Sequence, residues 1–485
     1  MRRVVLVPFA LLLAQGCAID DERPLPGRPC EREADCGEGF ACVQVPGEDG
    51  AVCVPKGGDV VVQGCAPGAP DGATCSDGDP CTRDDACRSG VCVGEPLSCG
   101  AGEQCVGGLC VEPVCEAGLA DVRLTDDPAT SGEPRLAYNP ARDELAVVFH
   151  DDRSGLSSDL FFTSLGVTAS APSSARQLTE SGRTDATLGL NIDAFSPHIV
   201  YAAGEYGLAW QEVLGVGLFG NIYFARLSEQ GALLSAPERL DGLDLLATSP
   251  DVGWNGGEFA VVYVNLGDDQ TPSELVFVRV SPEGDRISRS TLAVAGEPAF
   301  PALASSSDGR TWGVAYRTPG GIFLQLLSDV GQRLSEVRVS APSAGLSSPS
   351  VAVVPGGFAV VYASLASEGG AAQVRFVRVD ASGATPVASS EITLSAPGDD
   401  ARFARVAALE GGLAVAYTRE LPQGSEIVVV RSDSQGHSVG APRVLNANPA
   451  GAELPAIAGG ASVVGVAWED TRDGNAEIYA RSACP

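Results

Sequence analysis

The sequence is poor in several residue types that enzymes commonly use. Its 485 residues include one lysine, one methionine, three histidines and only 6% aromatic residues. Because Lys56 is the single lysine, the large C-terminal part of the chain cannot use a lysine amine as a nucleophile. None of the histidines, at positions 150, 198 and 437, stands in an HExxH zinc motif. Lysine chemistry in the large C-terminal part and this common zinc site are therefore excluded.

Positive charge is scarce as well. The chain has 32 Lys and Arg against 62 Asp and Glu, which gives a formal net charge of -30. Phosphate groups repel such a surface, so we expect no binding to nucleic acid or to an anionic membrane.

Long apolar runs are confined to the N-terminus. Two arginines precede the apolar run from Val4 to Ala14, which predicts a signal peptide at residues 1–16. The run ends in Gly16-Cys17 and resembles the lipobox of bacterial lipoproteins, although Ala14 and Gln15 depart from its usual residues. The resemblance implies lipidation of Cys17 and a lipid-anchored linker at 17–29. The alternative is an ordinary cleaved signal peptide.

No other segment approaches the ~20 apolar residues of a transmembrane helix, so membrane attachment is expected only through the lipid. The resemblance to lipoproteins implies export to the cell envelope, or secretion. Ala18 replaces the Asp that retains some bacterial lipoproteins in the inner membrane, so the outer membrane is favoured.

Thirteen of the fifteen cysteines lie between Cys30 and Cys115. The residues between them are rich in Gly, Asp and Pro and too poor in aliphatics to form a core, so this segment is predicted to be a set of disulfide modules. Zinc is the alternative, but the segment has neither histidine nor a Cys-x-x-Cys pair. Its short spacings resemble the Cys-rich modules of secreted bacterial proteins, loosely similar to EGF-like repeats.

A repeat of apolar strands fills residues 116–485. Seven units share a short first strand, which follows a proline in all but the sixth, a second strand ending in an aromatic residue, and a third strand, as at Ser348 to Tyr362 for the first two strands. A weaker fourth strand ends the first six units. Four antiparallel strands per repeat predict an all-β, seven-bladed β-propeller. The seventh unit lacks its fourth strand, which we expect Asp121 to Thr125 to supply. The ring would then be closed by the N- and C-terminal strands of the domain.

Cysteine parity adds a prediction at that closure. If Cys17 carries lipid, the Cys-rich segment keeps an odd number of thiols, and one of them should pair with Cys484. Cys115 is the nearest in sequence, and closure of the seventh blade would bring it toward Cys484.

First strands line the central channel of a propeller, which makes Arg135, His198 and Arg405 candidate ligand-binding residues. The segment Ser306 to Trp312 resembles the Asp box of sialidases, although it occurs once and is one residue short. That resemblance implies a carbohydrate-active propeller. The third arginine and the Tyr and Glu pair of sialidases have no assignable counterparts.

Blades one and seven share a motif after their second strands, with Asp151 and Asp152 in one and Asp470 and Asp473 in the other. The first interpretation is structural, with an Asp–Arg contact that holds the hairpin. The alternative is a calcium or ligand site on adjacent blades.

These observations predict a monomeric, non-enzymatic lipoprotein of the cell envelope that presents its propeller to a protein or glycan partner, because blade loops converge on one face. The alternative is a carbohydrate-active, sialidase-like hydrolase that uses the central channel. No cofactor is expected, with calcium as the open exception.

Overall fold

The computed structural model is all-β in the residues that it describes. These are 29–30, 40–44, 51–55, 65, 69–76, 82–88, 91–97, 104–106, 109–111, 121–168, 171–180, 182–185, 189–215, 219–242, 246–268, 270–294, 296–341, 346–365, 370–381, 385–446, 451–460 and 463–483. None of them forms a helix long and apolar enough to cross a membrane. The chain divides into two compact units, Met1–Glu112 and Pro113–Pro485. The predicted signal peptide, Cys17 and the boundary at 115/116 lie outside the described residues.

Short antiparallel strands make up the N-terminal unit. They are Pro29–Cys30, Phe40–Gln44, Ala51–Pro55, Thr82–Arg88, Val91–Pro96, Gln104–Val106 and Leu109–Val111.

Two disulfides cross-link the described part of this unit. Cys65 pairs with Cys87 and Cys75 with Cys92, with Cα–Cα distances of 5.7 and 5.9 Å. The close approach of Cys65, Cys75 and Cys87 therefore reflects covalent pairing and not free zinc ligands. The prediction of a disulfide-rich module is confirmed.

Seven antiparallel sheets form the propeller of the second unit. Blades one to three consist of Ser131–Asn139, Glu144–Asp151, Asp159–Gly166 and Arg176–Gln177; Ile192–Ala202, Glu205–Leu214, Phe219–Ser228 and Glu238–Arg239; and Ala247–Trp254, Phe259–Asn265, Glu274–Val280 and Arg286–Leu292. Blades four and five consist of Ala299–Ser305, Thr311–Thr318, Gly321–Ser328 and Arg333–Arg338; and Ser350–Val354, Gly357–Leu365, Ala372–Asp380, Val387–Ala388 and Ile392–Thr393. Blades six and seven consist of Asp400–Leu409, Gly412–Leu421, Gly424–Ser432 and Arg443–Val444; and Ala452–Gly459, Val464–Asp470, Glu477–Ala483 and Val122–Arg123.

Apolar side chains pack between neighbouring blades. Each junction between blades contains one cluster of buried residues, so each second strand contributes side chains to the junctions on both of its faces. The aromatic residue at the end of each second strand is at most 2% exposed: Phe149, Trp210, Tyr263, Tyr316, Tyr362, Tyr417 and Trp468. The repeated aromatic seen in the sequence is therefore a core residue of every blade.

Gly231 shows why the hairpin after a third strand needs glycine. Its φ of +72° lies in the left-handed region, and a Cβ there would come within 2.1 Å of the Phe162 ring of the preceding blade. Tight packing between these two blades depends on the missing side chain.

The seventh blade is closed as predicted. Val122–Arg123 pairs with the blade's third strand, opposite Ala480 and Tyr479. Arg123 donates to the buried Glu477 carboxylate at 2.8 Å, and Thr125 also donates to Glu477. The outer strand of blade seven is thus supplied by the start of the domain, and its other three strands come from the end of the chain. The predicted Cys115–Cys484 bond lies outside the described residues and stays a prediction.

The first strands depart from prediction at their starts. Most of them begin before the proline, and six contain a β-bulge, where two residues oppose one on the second strand. The proline is in the bulge in five of these six, and Ala404 takes its place in blade six. One residue of each bulge has positive φ: Glu133, Ser196, Ser249, Phe300, Phe403 and Leu454. Proline is tolerated here because the first strand is the inner edge of its sheet and its outward N–H has no ladder partner.

Candidate functional site

The bulges build two rings of side chains at one end of the central channel. The upper ring, which we call the rim, contains the residue before each proline and its equivalents: Glu133, Ser196, Ser249, Phe300, Ser348, Phe403 and Leu454. The lower ring, which we call the floor, contains the residue after it: Arg135, His198, Asp251, Ala302, Ser350, Arg405 and Ala456. All fourteen line one cavity of about 460 Å³.

Three floor residues on blades one to three form a hydrogen-bonded chain. Arg135 Nε–H donates to His198 Nε2 at 3.2 Å, which makes Nε2 the acceptor and leaves the proton on Nδ1. His198 Nδ1 lies 2.7 Å from Asp251 Oδ1, and Asp251 Oδ2 accepts the Leu303 amide at 2.8 Å. Burial lowers the pKa of His198, as do the nearby arginines, so the ring stays neutral and holds both neighbours in place.

Arg405 completes the charged part of the floor from blade six. Its guanidinium donates to the Ala404 carbonyl at 3.1 Å, and Arg135 similarly donates to the Pro134 carbonyl. In the described part of the chain, neither guanidinium forms an ion pair with a carboxylate. Burial and the charge of Arg135 lower the pKa of Arg405 to about 9. Cationic donors therefore face the cavity without a fixed anionic partner.

Acidic groups gather at the rim where blades one and seven meet. The Glu133 carboxylate accepts the Ser196 amide at 2.6 Å, and the Glu133 amide donates to Glu469 Oε1 at 2.7 Å. Burial and the negative charge of Glu133 raise the pKa of Glu469. His150 lies beside this pair, with Nδ1 3.8 Å from Glu133. The end of the cavity lined by the rim and the floor, which we call the mouth, thus contains two arginines and Glu133. Glu469, whose pKa is raised, is hydrogen-bonded to the Glu133 amide behind this lining.

An aliphatic girdle bounds the cavity below the floor. It is formed by Leu136, Ile199, Val351, Val406 and Ile457, which also line a second cavity of about 580 Å³ further along the channel. The boundary between the two cavities is therefore apolar.

The motif shared by blades one and seven forms matching Asp–Arg pairs. Arg153 donates to buried Asp151 through its backbone amide at 2.7 Å and through Nε at 2.8 Å. Arg472 donates to Asp470 through its backbone amide at 2.9 Å and through its guanidinium at 2.5 Å. Tyr479 donates to Asp473, whereas Asp152 is exposed. These contacts match the structural interpretation, and calcium binding stays a prediction.

Two sequence patterns fall in unsuitable structural settings. Residues 436–440 read Gly-His-Ser-Val-Gly, a serine-hydrolase pattern that sequence reasoning missed, but they lie in a hairpin next to Gly424–Ser432 with His437 72% exposed. That nucleophile requires a strand-to-helix turn. The Asp box lies in the turn before Thr311–Thr318, where Ser306 donates to Asp308 at 2.7 Å. Neither pattern contributes to the channel cavity.

The structure therefore brings Arg135, His198 and Arg405 together as the sequence predicts. Sequence reasoning missed Glu133, Asp251, Glu469 and the rim phenylalanines. Alignment of the positions on either side of the repeated proline would have found all but Glu469, because these positions form the two rings.

No protein-family model and no curated protein matches the chain. Among solved structures, an α-L-arabinofuranosidase from Fusarium graminearum with an iminosugar inhibitor matches at a TM-score of 0.44 and 14% identity, over 64% of this chain and 97% of its own. The sialidase of Trypanosoma rangeli with the inhibitor DANA matches at 0.42 and 8%, over 64% and 57%. An acylaminoacyl peptidase from Pyrococcus horikoshii matches at 0.43 and 9%, over 73% and 52%. At such identities the likeness shows the propeller fold alone.

These comparisons correct one prediction. They contradict the expectation that the protein is not an enzyme: the similar structures are those of enzymes, and two of these act on sugars by name. The resemblance to a sialidase-like propeller is confirmed as a fold, while lipidation and bacterial origin stay predictions.

Proposed function

We propose that the channel mouth is a carbohydrate site of the hydrolase type and that its ligand carries a negative charge. The observation that supports it best is the pair of arginines, Arg135 and Arg405, which face a 460 Å³ cavity without an ion-pair partner in the described chain. A carboxylate would satisfy both charges and would also relieve the repulsion between them.

The same mouth supplies groups for acid–base chemistry. Glycoside hydrolysis generally uses two carboxyl groups, one of them with a raised pKa. Glu133 lies on the cavity surface, and Glu469, with its raised pKa, is hydrogen-bonded to the Glu133 amide. Asp251 is less suited to act as one of these carboxyl groups, because its carboxylate is already hydrogen-bonded to His198 and to two backbone amides.

The test is a panel of fluorogenic glycosides that includes 4-methylumbelliferyl glucuronide and arabinofuranoside. We expect cleavage of the acidic substrate, with loss in Arg405→Gln and Glu133→Gln. Arg402→Gln is the matched control, because Arg402 is on the same strand but half-exposed and paired with Asp400. No cleavage and no binding of any sugar, or activity that both channel variants retain, would refute the proposal.

We also propose, from the sequence, that the chain is exported and lipidated at Cys17. Growth with a radiolabelled fatty acid should label the wild-type protein and not Cys17→Ser. Label on neither, with the protein in the medium, would show an ordinary cleaved signal peptide instead.

A further inference from the structure

The rim has an aromatic side that the charged floor does not explain. Phe300 of blade four and Phe403 of blade six both line the cavity, and Phe300 is 42% exposed. Large apolar side chains exposed in a cavity are characteristic of ligand contacts.

The backbone at both positions is held in an unfavourable conformation. Phe300 and Phe403 have φ of +50° and +53°, in the left-handed region that bulky residues rarely adopt. The bulges fix this conformation and so turn both rings toward the channel.

The ring of Phe300 is supported from one side. The Arg317 guanidinium stacks over it, 4.8 Å from the ring centroid, and Arg317 is held by a 2.8 Å hydrogen bond to the Leu346 carbonyl. One face of the ring is thus occupied within the protein, and the exposed surface belongs to the remainder of the side chain.

The rim on blades one to three is polar, with Glu133, Ser196 and Ser249, whereas Leu454 of blade seven is apolar. Phe403 stands two residues before Arg405 on the same strand, so an aromatic ring and a guanidinium without a carboxylate partner face one cavity from one blade. Ligand recognition here therefore has two parts, an apolar surface and a cationic group.

We infer that Phe300 and Phe403 form a platform for the apolar face of a sugar ring whose carboxylate is held by Arg135 and Arg405. The ligand class is a pyranose bearing a carboxylate, and the uronic-acid unit of a glycan is the member tested below. This inference rests on the proposed function and adds recognition of the ring itself, which a simple anion would lack.

Two probes separate the two parts. Binding of methyl β-glucuronide and of acetate to the full chain is measured by ligand-observed NMR, with calorimetry where affinity permits. We expect Phe300→Ala and Phe403→Ala each to weaken glucuronide binding roughly tenfold and to leave acetate binding unchanged, since only the sugar has a ring face to pack. Phe300→Trp should retain glucuronide binding, and Leu334→Ala, which removes an exposed apolar side chain elsewhere on blade four, is the control.

The outcomes distinguish this inference from the proposal beneath it. Arg405→Gln should weaken binding of both probes; if it changes neither, the proposed anionic site fails. If Arg405→Gln weakens both while the alanine variants bind glucuronide as the wild type does, the anionic site stands and the aromatic platform is refuted. Saturation transfer from aromatic protons to the sugar ring in the wild type, lost when Phe300→Ala and Phe403→Ala are combined, checks the contact directly. A folded far-UV spectrum and thermal melt for each variant exclude unfolding as the cause.

Discussion

Arginines have different roles in two regions of this propeller. At the junction of the two chain ends, Arg123 pairs with Glu477 and Asp126, and Arg472 with Asp121 and Asp470. At the channel mouth, Arg135 and Arg405 contact a histidine and backbone carbonyls.

The difference shows which charges hold the fold and which are available to a ligand. A buried ion pair with its hydrogen bonds made is costly to break, because the remaining partner keeps an uncompensated charge. A buried arginine without a carboxylate partner carries the cost of its uncompensated charge already in the ligand-free protein. We therefore expect substitution at the junction of the chain ends to lower the free energy of unfolding. Substitution at the mouth should raise it and weaken anion binding.

The largest effect is expected at the closure of the ring. Glu477→Ala should lower the free energy of unfolding by about 1–3 kcal/mol, because it leaves the buried Thr125 hydroxyl without its acceptor. It also removes the nearest carboxylate of Arg123, which is 30% exposed and keeps its pair with Asp126. Urea unfolding followed by tryptophan fluorescence measures this. The control Glu410→Ala removes an exposed carboxylate and should change stability by less than about 0.5 kcal/mol. Equal stability of the two variants would contradict a closure held by this ion pair.

Substitution at the mouth should have the opposite sign. Arg405→Leu removes a charge with no carboxylate partner in the described chain, and we expect it to raise the free energy of unfolding by about 1 kcal/mol while anion binding is lost. The same urea titration serves as the readout. A destabilisation as large as that of Glu477→Ala would mean that Arg405 holds the fold.

Acidification should affect His198 at the mouth before it affects Asp151. The pKa of His198 is lowered, so the folded state binds fewer protons than the unfolded state, and stability should fall as pH drops from about 6.5 through the folded pKa. The pKa of Asp151 is also lowered, so its contribution is lost only as pH falls below about 3.8. Unfolding free energies measured across this range test the order.

His198→Gln isolates the first of these windows. It should flatten the decline that begins near pH 6.5, leaving the part due to His150, whose pKa burial also lowers. An unchanged profile would show that His198 does not titrate in this way.

The smallest effect concerns calcium. Because Asp151 and Asp470 are engaged by Arg153 and Arg472, millimolar calcium should shift the melting temperature by less than about 1 °C. A saturable rise, absent in Asp152→Asn or Asp473→Asn, would establish the alternative calcium site.

The fold was predictable because the residues that repeat with each blade are ones that pack in its core or begin its strands. The aromatic residue at the end of each second strand and the proline in most first strands recur with the blade, and the surplus strand near Asp121 followed from the count. The pairings Cys65–Cys87 and Cys75–Cys92 were not predictable, since spacing alone leaves connectivity open.

The site was predictable only in part. Arg135, His198 and Arg405 were found because they follow the proline position on strands expected to line the channel. The rim was missed because pre-proline residues ordinarily favour extended backbone, whereas Glu133 and Phe300 adopt positive φ in their bulges. The Gly-His-Ser-Val-Gly pattern at 436–440 shows the opposite error, in which a sequence motif is present but the strand-to-helix turn that it requires is not.

The bond between Arg123 and Glu477 also sets the order in which the molecule can be completed. It joins residues 354 positions apart. The strand Val122–Arg123 is therefore made first but cannot pair until Glu477–Ala483 has been made. Until then, blade seven keeps an open edge on a nearly finished ring, and contacts of such long range form slowly. We therefore expect chains that have not yet closed the ring to be able to pair with one another at this edge.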